Sequence, residues 1–190
     1  MTKDKIYILV DCSGSMSGAP IQQATQLVNE LVQSLCNNTN SQKSQVSIIT
    51  YNMEIKEIVS MSSVVSIKHI AISEECCGPK NLGKAIKYVN DISLENKTIF
   101  IITKGKPSDV QLYNEQIKLC KNNNYNIIVL HGNIEKYGDT FNETAKIVSP
   151  WDSVTFPEII KAIFGGKEKT SHDGRTVLQE PPKVIEIDIE

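Results

Sequence analysis

Asp11, Ser13 and Ser15 stand two residues apart in the run Asp11-Cys12-Ser13-Gly14-Ser15-Met16. A carboxylate and two hydroxyls at that spacing are hard oxygen donors, the kind that suits a divalent cation such as Mg²⁺. The same residue types also cap helices, because their oxygens accept the free N–H groups of a first turn. Nucleophilic use of either serine would need a base, and none adjoins them in sequence. The glycine-rich phosphate loops, the Gly-x-Ser-x-Gly elbow and the His-Glu-x-x-His zinc motif are all missing. Five cysteines (Cys12, Cys36, Cys76, Cys77 and Cys120) form no Cys-x-x-Cys pair. An odd count with two adjacent members argues against a disulfide framework or a zinc site, and reduced cytoplasmic thiols are the simpler expectation. His69 and His172 lack ligand spacing, and His131 reads as a strand-end histidine rather than a base.

The elements that must position the loop follow from apolar patterning. Before it, Lys5 to Val10 is a short continuous apolar run, which predicts a strand buried on both faces. After it, Pro20 opens a helix whose Ile21, Ala24, Val28, Leu31 and Leu35 recur at steps of three and four. Further strands are expected at residues 45–51, 98–103 and 126–131, with a last one at 145–148. A short strand at 55–60 should pair antiparallel with the second. Helical faces recur at Leu82, Ile86 and Val89, at Tyr113, Ile117 and Cys120, and at Ile159, Ile160 and Ile163. Asp109 is expected to cap the helix that begins beside it, Trp151 to pack the last helix, and residues 61–77 read ambiguously. This alternation implies an α/β fold: a doubly wound, mostly parallel sheet with one antiparallel edge strand and helices on both faces. Ligands gather at the carboxyl ends of such strands, where Asp11, Thr103-Lys104 and His131-Gly132 fall.

The chain has 190 residues, 40% hydrophobic and 22% charged, which fits one domain over residues 1–166. Residues 167–190 are expected to be a polar linker or arm that ends in Val184 to Glu190, where apolar and acidic residues alternate as an added strand would. Twenty basic residues against 22 acidic ones leave a net charge of −2, so no global field for nucleic acid or anionic membrane exists. No apolar run approaches membrane-spanning length, and with Met1 to Lys5 polar no signal peptide is expected.

The Asp11-x-Ser13-x-Ser15 loop, in its strand–loop–helix setting, resembles the first piece of the metal-ion-dependent adhesion site of the von Willebrand factor A domain family. The resemblance extends over most of residues 5–165, and the run YILVDCSGSMSGAPIQQA is similar to single-domain bacterial proteins of tellurium-resistance and stress operons. It implies a Rossmann-like fold and two further metal ligands, a Thr in a Gly-Gly-Thr-x-Leu-Gly pattern and an Asp in a Thr-Asp-Gly pattern. Here Gly78-Pro79-Lys80-Asn81-Leu82-Gly83 and Thr103-Lys104-Gly105 stand in those places. Both ligands are replaced by lysine, a cation with no acceptor while protonated.

A site with two of its ligands replaced by lysine is expected to bind no metal or other cofactor, with the ammonium of Lys80 or Lys104 near the metal's place and paired with Asp11. The alternative is an Mg²⁺-dependent module held by Asp11, Ser13 and Ser15. Asp11, Ser13, Ser15, Lys80 and Lys104 are the expected partner-binding residues. The resemblance implies a non-enzymatic cytoplasmic interaction module, a scaffold or adaptor in a bacterial stress or tellurium-resistance system, with protein partners that include kinase or phosphatase components. A hydrolase using a dyad of Ser13 or Ser15 with Lys104 is the competing enzyme reading.

Overall fold

A computed structural model of the chain describes residues 4–73, 75–92 and 97–165. The domain boundary at Gly166 and the expected strand at 184–190 lie outside them. Six strands form one sheet in the order β3-β2-β1-β4-β5-β6: β1 Lys5–Asp11, β2 Gln45–Tyr51, β3 Ile55–Ser63, β4 Lys97–Thr103, β5 Asn126–His131 and β6 Ile147–Pro150. All neighbours run parallel except β2 and β3, which pair antiparallel. The mixed, doubly wound α/β architecture expected from the sequence is therefore present.

Period-two alternation divides each central strand between two cores. Ile6, Ile8, Val10, Phe100, Ile102, Ile128 and Leu130 meet helices α1 (Ala19–Asn37) and α6 (Phe156–Phe164). Tyr7, Leu9, Ile99, Ile101, Ile127 and Val129 meet α2 (Leu82–Ile92) and α3 (Val110–Asn122). With both faces covered, these strands are apolar through their middles, which is why they read as nearly unbroken runs. Trp151 joins the α6 core as expected and donates its indole N–H to the Leu130 carbonyl at 2.8 Å.

Some boundaries differ from expectation. The last strand begins at Ile147 rather than residue 145, and β3 runs on to Ser63. Two four-residue helices, α4 (Ile134–Tyr137) and α5 (Asp139–Asn142), lie between β5 and β6, each too short to show a helical period. The ambiguous 61–77 stretch holds the end of β3 and a 3₁₀ turn at Val64–Ser66. Residues 67–73 and 75–77 then show no regular structure, and two bonds between Asn29 and the Ile70 backbone, at 2.8 and 2.9 Å, pin this part of the chain.

Helices α2 and α3 approach at Gly83, where an added Cβ would lie 2.4 Å from the Tyr113 nitrogen. A methyl group there must displace backbone rather than a flexible side chain. Gly83→Ala should cost about 2–3 kcal/mol. The urea unfolding midpoint would fall with an unchanged slope; an unaltered midpoint would show that the two helices separate freely.

Candidate functional site

The strand order reverses between β1 and β4, with β2 added on one side and β5 on the other. In open α/β sheets ligands gather at such a reversal, beside the carboxyl ends of the strands. Alternation aims the last residue of each of four adjacent strands at the α2/α3 side. In spatial order these are Tyr51, Asp11, Thr103 and His131, with Asp11 in register with Tyr51 and Thr103 with His131. Four polar side chains thus line up, buried, across the top of an otherwise apolar sheet.

Asp11 is fully buried, so its carboxylate must be satisfied within the protein. One oxygen, Oδ1, accepts the Ser13 backbone N–H at 2.9 Å. The other, Oδ2, accepts the Thr103 hydroxyl at 2.8 Å and the Lys80 ammonium at 2.8 Å. Lys80 arrives from the irregular segment before α2 and is only 6% exposed. Its Nζ also donates to Ser13 Oγ and Ser15 Oγ, each at 3.0 Å. Three N–H donors meet three oxygens, so the ammonium has no proton left to offer outward. Gly105 leaves this path uncrowded, since a Cβ at that residue would lie 3.3 Å from Nζ.

Of the five expected site residues, the structure brings together Asp11, Ser13, Ser15 and Lys80. Lys104 stands apart: it is half-buried, and its ammonium makes no hydrogen bond or ion pair among the described residues. The competing enzyme reading pairs the serines with Lys104, yet the amine beside them is that of Lys80. That amine is committed to Asp11 and both hydroxyls and has no lone pair with which to take a serine proton. Asp109 corrects another expectation. Its carboxylate does not cap α3, the helix beginning next to it. Instead it accepts the Gly83 and Lys84 N–H groups at 3.0 and 2.8 Å, capping the first turn of α2.

Sequence reasoning passed over three members of the site: Thr103 as a partner of Asp11, the Tyr51 phenol and the His131 imidazole. The signal for them was their common place at the ends of buried strands. Burial first, and the Asp11 carboxylate second, push the Tyr51 phenol well above its usual range. Its hydroxyl points toward Thr103 without a hydrogen bond of normal geometry among the described residues. The Asn133 N–H is donated to His131 Nδ1 at 2.9 Å, leaving the ring proton on Nε2. Burial holds His131 below its usual value, and the Lys80 ammonium adds to the effect, while the Gly105 carbonyl and Asp11 oppose it.

A divalent ion on the same three oxygens would face the ammonium at close range. At 4 Å and an effective dielectric of about 20, the repulsion is about 8 kcal/mol. The donor set as arranged therefore does not fit Mg²⁺. Among the described residues no group of three or more His, Cys, Asp or Glu side chains is placed to hold a metal.

The fold and the site define an open α/β binding domain whose loops converge at the switch point of its sheet. Residues 5–156 match the von Willebrand factor type A domain, and the chain belongs to that family. The family is one of adhesion and protein-interaction modules that are in general non-enzymatic. Among solved structures, a von Willebrand factor type A protein from Catenulispora acidiphila superposes with a TM-score of 0.63 at 12% identity, over 86% of this chain and 42% of that one. An aerotolerance-related membrane protein from Bacteroides fragilis gives 0.58 at 17% identity, over 84% and 96%. Manganese-loaded TRAP protein from Plasmodium vivax gives 0.60 at 17%, over 85% and 73%. At these identities the likeness is one of fold, and the chain spans less than half of the Catenulispora protein. No curated protein matches the sequence. Among the described residues no helix is long and apolar enough to cross a membrane.

Two predictions follow from the buried cluster. Lys80→Met strands the Asp11 charge and should cost about 3–5 kcal/mol, whereas adding Asp11→Asn should recover much of the loss. Additive single and double losses in urea unfolding would show that the two groups are not coupled. His131 has a native value below 6.5, so the unfolded chain binds its proton first as pH falls. Its contribution to stability is complete above about 6.5 and is lost as pH drops through the lower native value. His131→Gln should flatten the pH dependence of the unfolding midpoint between about pH 7 and pH 5; an unchanged slope would mean that His131 titrates freely.

Proposed function

We propose that this domain is a protein-interaction module that works without a metal ion, with the Lys80 ammonium in the role that a divalent cation plays elsewhere in the family. One observation carries this reading: Lys80 Nζ lies 2.8 Å from Asp11 and 3.0 Å from both Ser13 and Ser15. These are the three residues that match the family's adhesion motif, and a tethered ammonium satisfies them all. Partners dock at the top of the sheet, where Ser15 is exposed and Lys104 keeps its ammonium available to an acidic group. The domain acts as a scaffold or adaptor rather than an enzyme, since among the described residues neither serine is bonded to a base.

The run YILVDCSGSMSGAPIQQA supports a place in a bacterial stress or tellurium-resistance system, with kinase or phosphatase components as the partners to seek. The reduced cysteines suit a cytoplasmic setting. Mg²⁺ or Mn²⁺ should leave the melting temperature unchanged, and a chelator should not weaken partner capture. The double substitution Lys80→Thr with Lys104→Asp, which restores oxygen ligands at both places, should gain Mn²⁺ binding detectable by electron paramagnetic resonance. Anomalous scattering from a manganese held by Asp11, Ser13 and Ser15 in the unaltered protein would overturn the proposal.

A further inference from the structure

Lys80 lies outside any helix or strand, in the stretch between Gly78 and the start of α2 at Leu82. A long side chain on such a segment places its ammonium only as well as its own backbone is held. Here that backbone is held from one direction. The Lys80 N–H donates to Ser108 Oγ at 3.0 Å, and the Lys80 carbonyl accepts the Ser108 N–H at 2.8 Å. Two bonds of opposite sense between the same two residues fix both position and orientation. Three and four residues further on, the Gly83 and Lys84 N–H groups bind the two oxygens of Asp109.

We infer that Ser108 and Asp109 are positioning residues for Lys80, a clasp on the β4–α3 loop that sets where the site's cation stands. The inference rests on the proposed role of Lys80 and extends it to residues that touch neither Asp11 nor the two serines. Ser108 is exposed and Asp109 half-buried, so neither is needed to fill a core. Both carboxylate oxygens of Asp109 go to backbone that follows Lys80, and the Ser108 hydroxyl goes to Lys80 itself. The clasp and the ion pair thus grip one residue from its two ends, main chain outside and ammonium inside.

Brief acylation of the full chain with a water-soluble acetylating ester, read by peptide mass spectrometry, tests this through the amines. Lys80 should react about tenfold more slowly than the half-buried Lys104 in the unaltered protein. Lys97, only 2% exposed at the amino end of β4, reports global opening. Ser108→Ala and Asp109→Ala should each speed Lys80 about fivefold while leaving Lys97 unchanged. Ser108→Thr, which keeps the hydroxyl, should restore the original rate. Unchanged Lys80 reactivity in both alanine variants overturns the clasp, as does a rise matched by Lys97, which would mean general loosening. If Lys80 of the unaltered protein reacts as fast as Lys104, the role of Lys80 as the site's cation fails instead.

Discussion

A carboxylate sealed away from water needs a counter-charge, and the top of this domain is arranged around supplying one to Asp11. Isolated, the ionised group would be too costly to bury. With the Ser13 N–H, the Thr103 hydroxyl and the Lys80 ammonium around it, the charge is both paired and hydrogen-bonded. The pair in turn constrains its surroundings. Gly105 leaves room beside the ammonium, Ser13 and Ser15 turn their oxygens inward, and the segment before α2 stays close to the sheet. Attraction in such a pair offsets desolvation only when geometry is good, so the loops that set the geometry matter as much as the charges.

Much of this was legible in the chain itself. Strands covered on both faces are mostly apolar and rich in β-branched residues, so β1, β2, β4 and β5 stood out, and helical spacing marked α1, α2, α3 and α6. Elements of four residues carry no period, which hid α4 and α5. Long-range partners were hidden for another reason. Asp109 lies immediately before α3, so local logic assigned it there, yet its carboxylate finds α2, 26 and 25 residues earlier in the chain. Nothing in a one-dimensional pattern ranks a near partner against a distant one brought close by folding.

The two lysines illustrate the same limit. Both stand at positions where family resemblance expected oxygen ligands, and residue type alone cannot separate them. Location in the fold does. Lys80 precedes α2 on the side of the sheet that Asp11 faces. Lys104 follows Thr103, whose own side chain already takes the approach to Asp11 from β4. The motif Asp11-x-Ser13-x-Ser15 was thus recognisable as a site, while the identity of its cation depended on tertiary placement.

Joining the cation covalently to the backbone has a further result. A free ion is held according to its abundance, so a site that needs one responds to the ionic state of its surroundings. An amine four methylenes from its own α-carbon has no reservoir to exchange with and no threshold to cross. On the role proposed for Lys80, the Asp11 site is furnished from the moment the chain folds, and control over it would be exerted by moving protein rather than by supplying or withholding a solute.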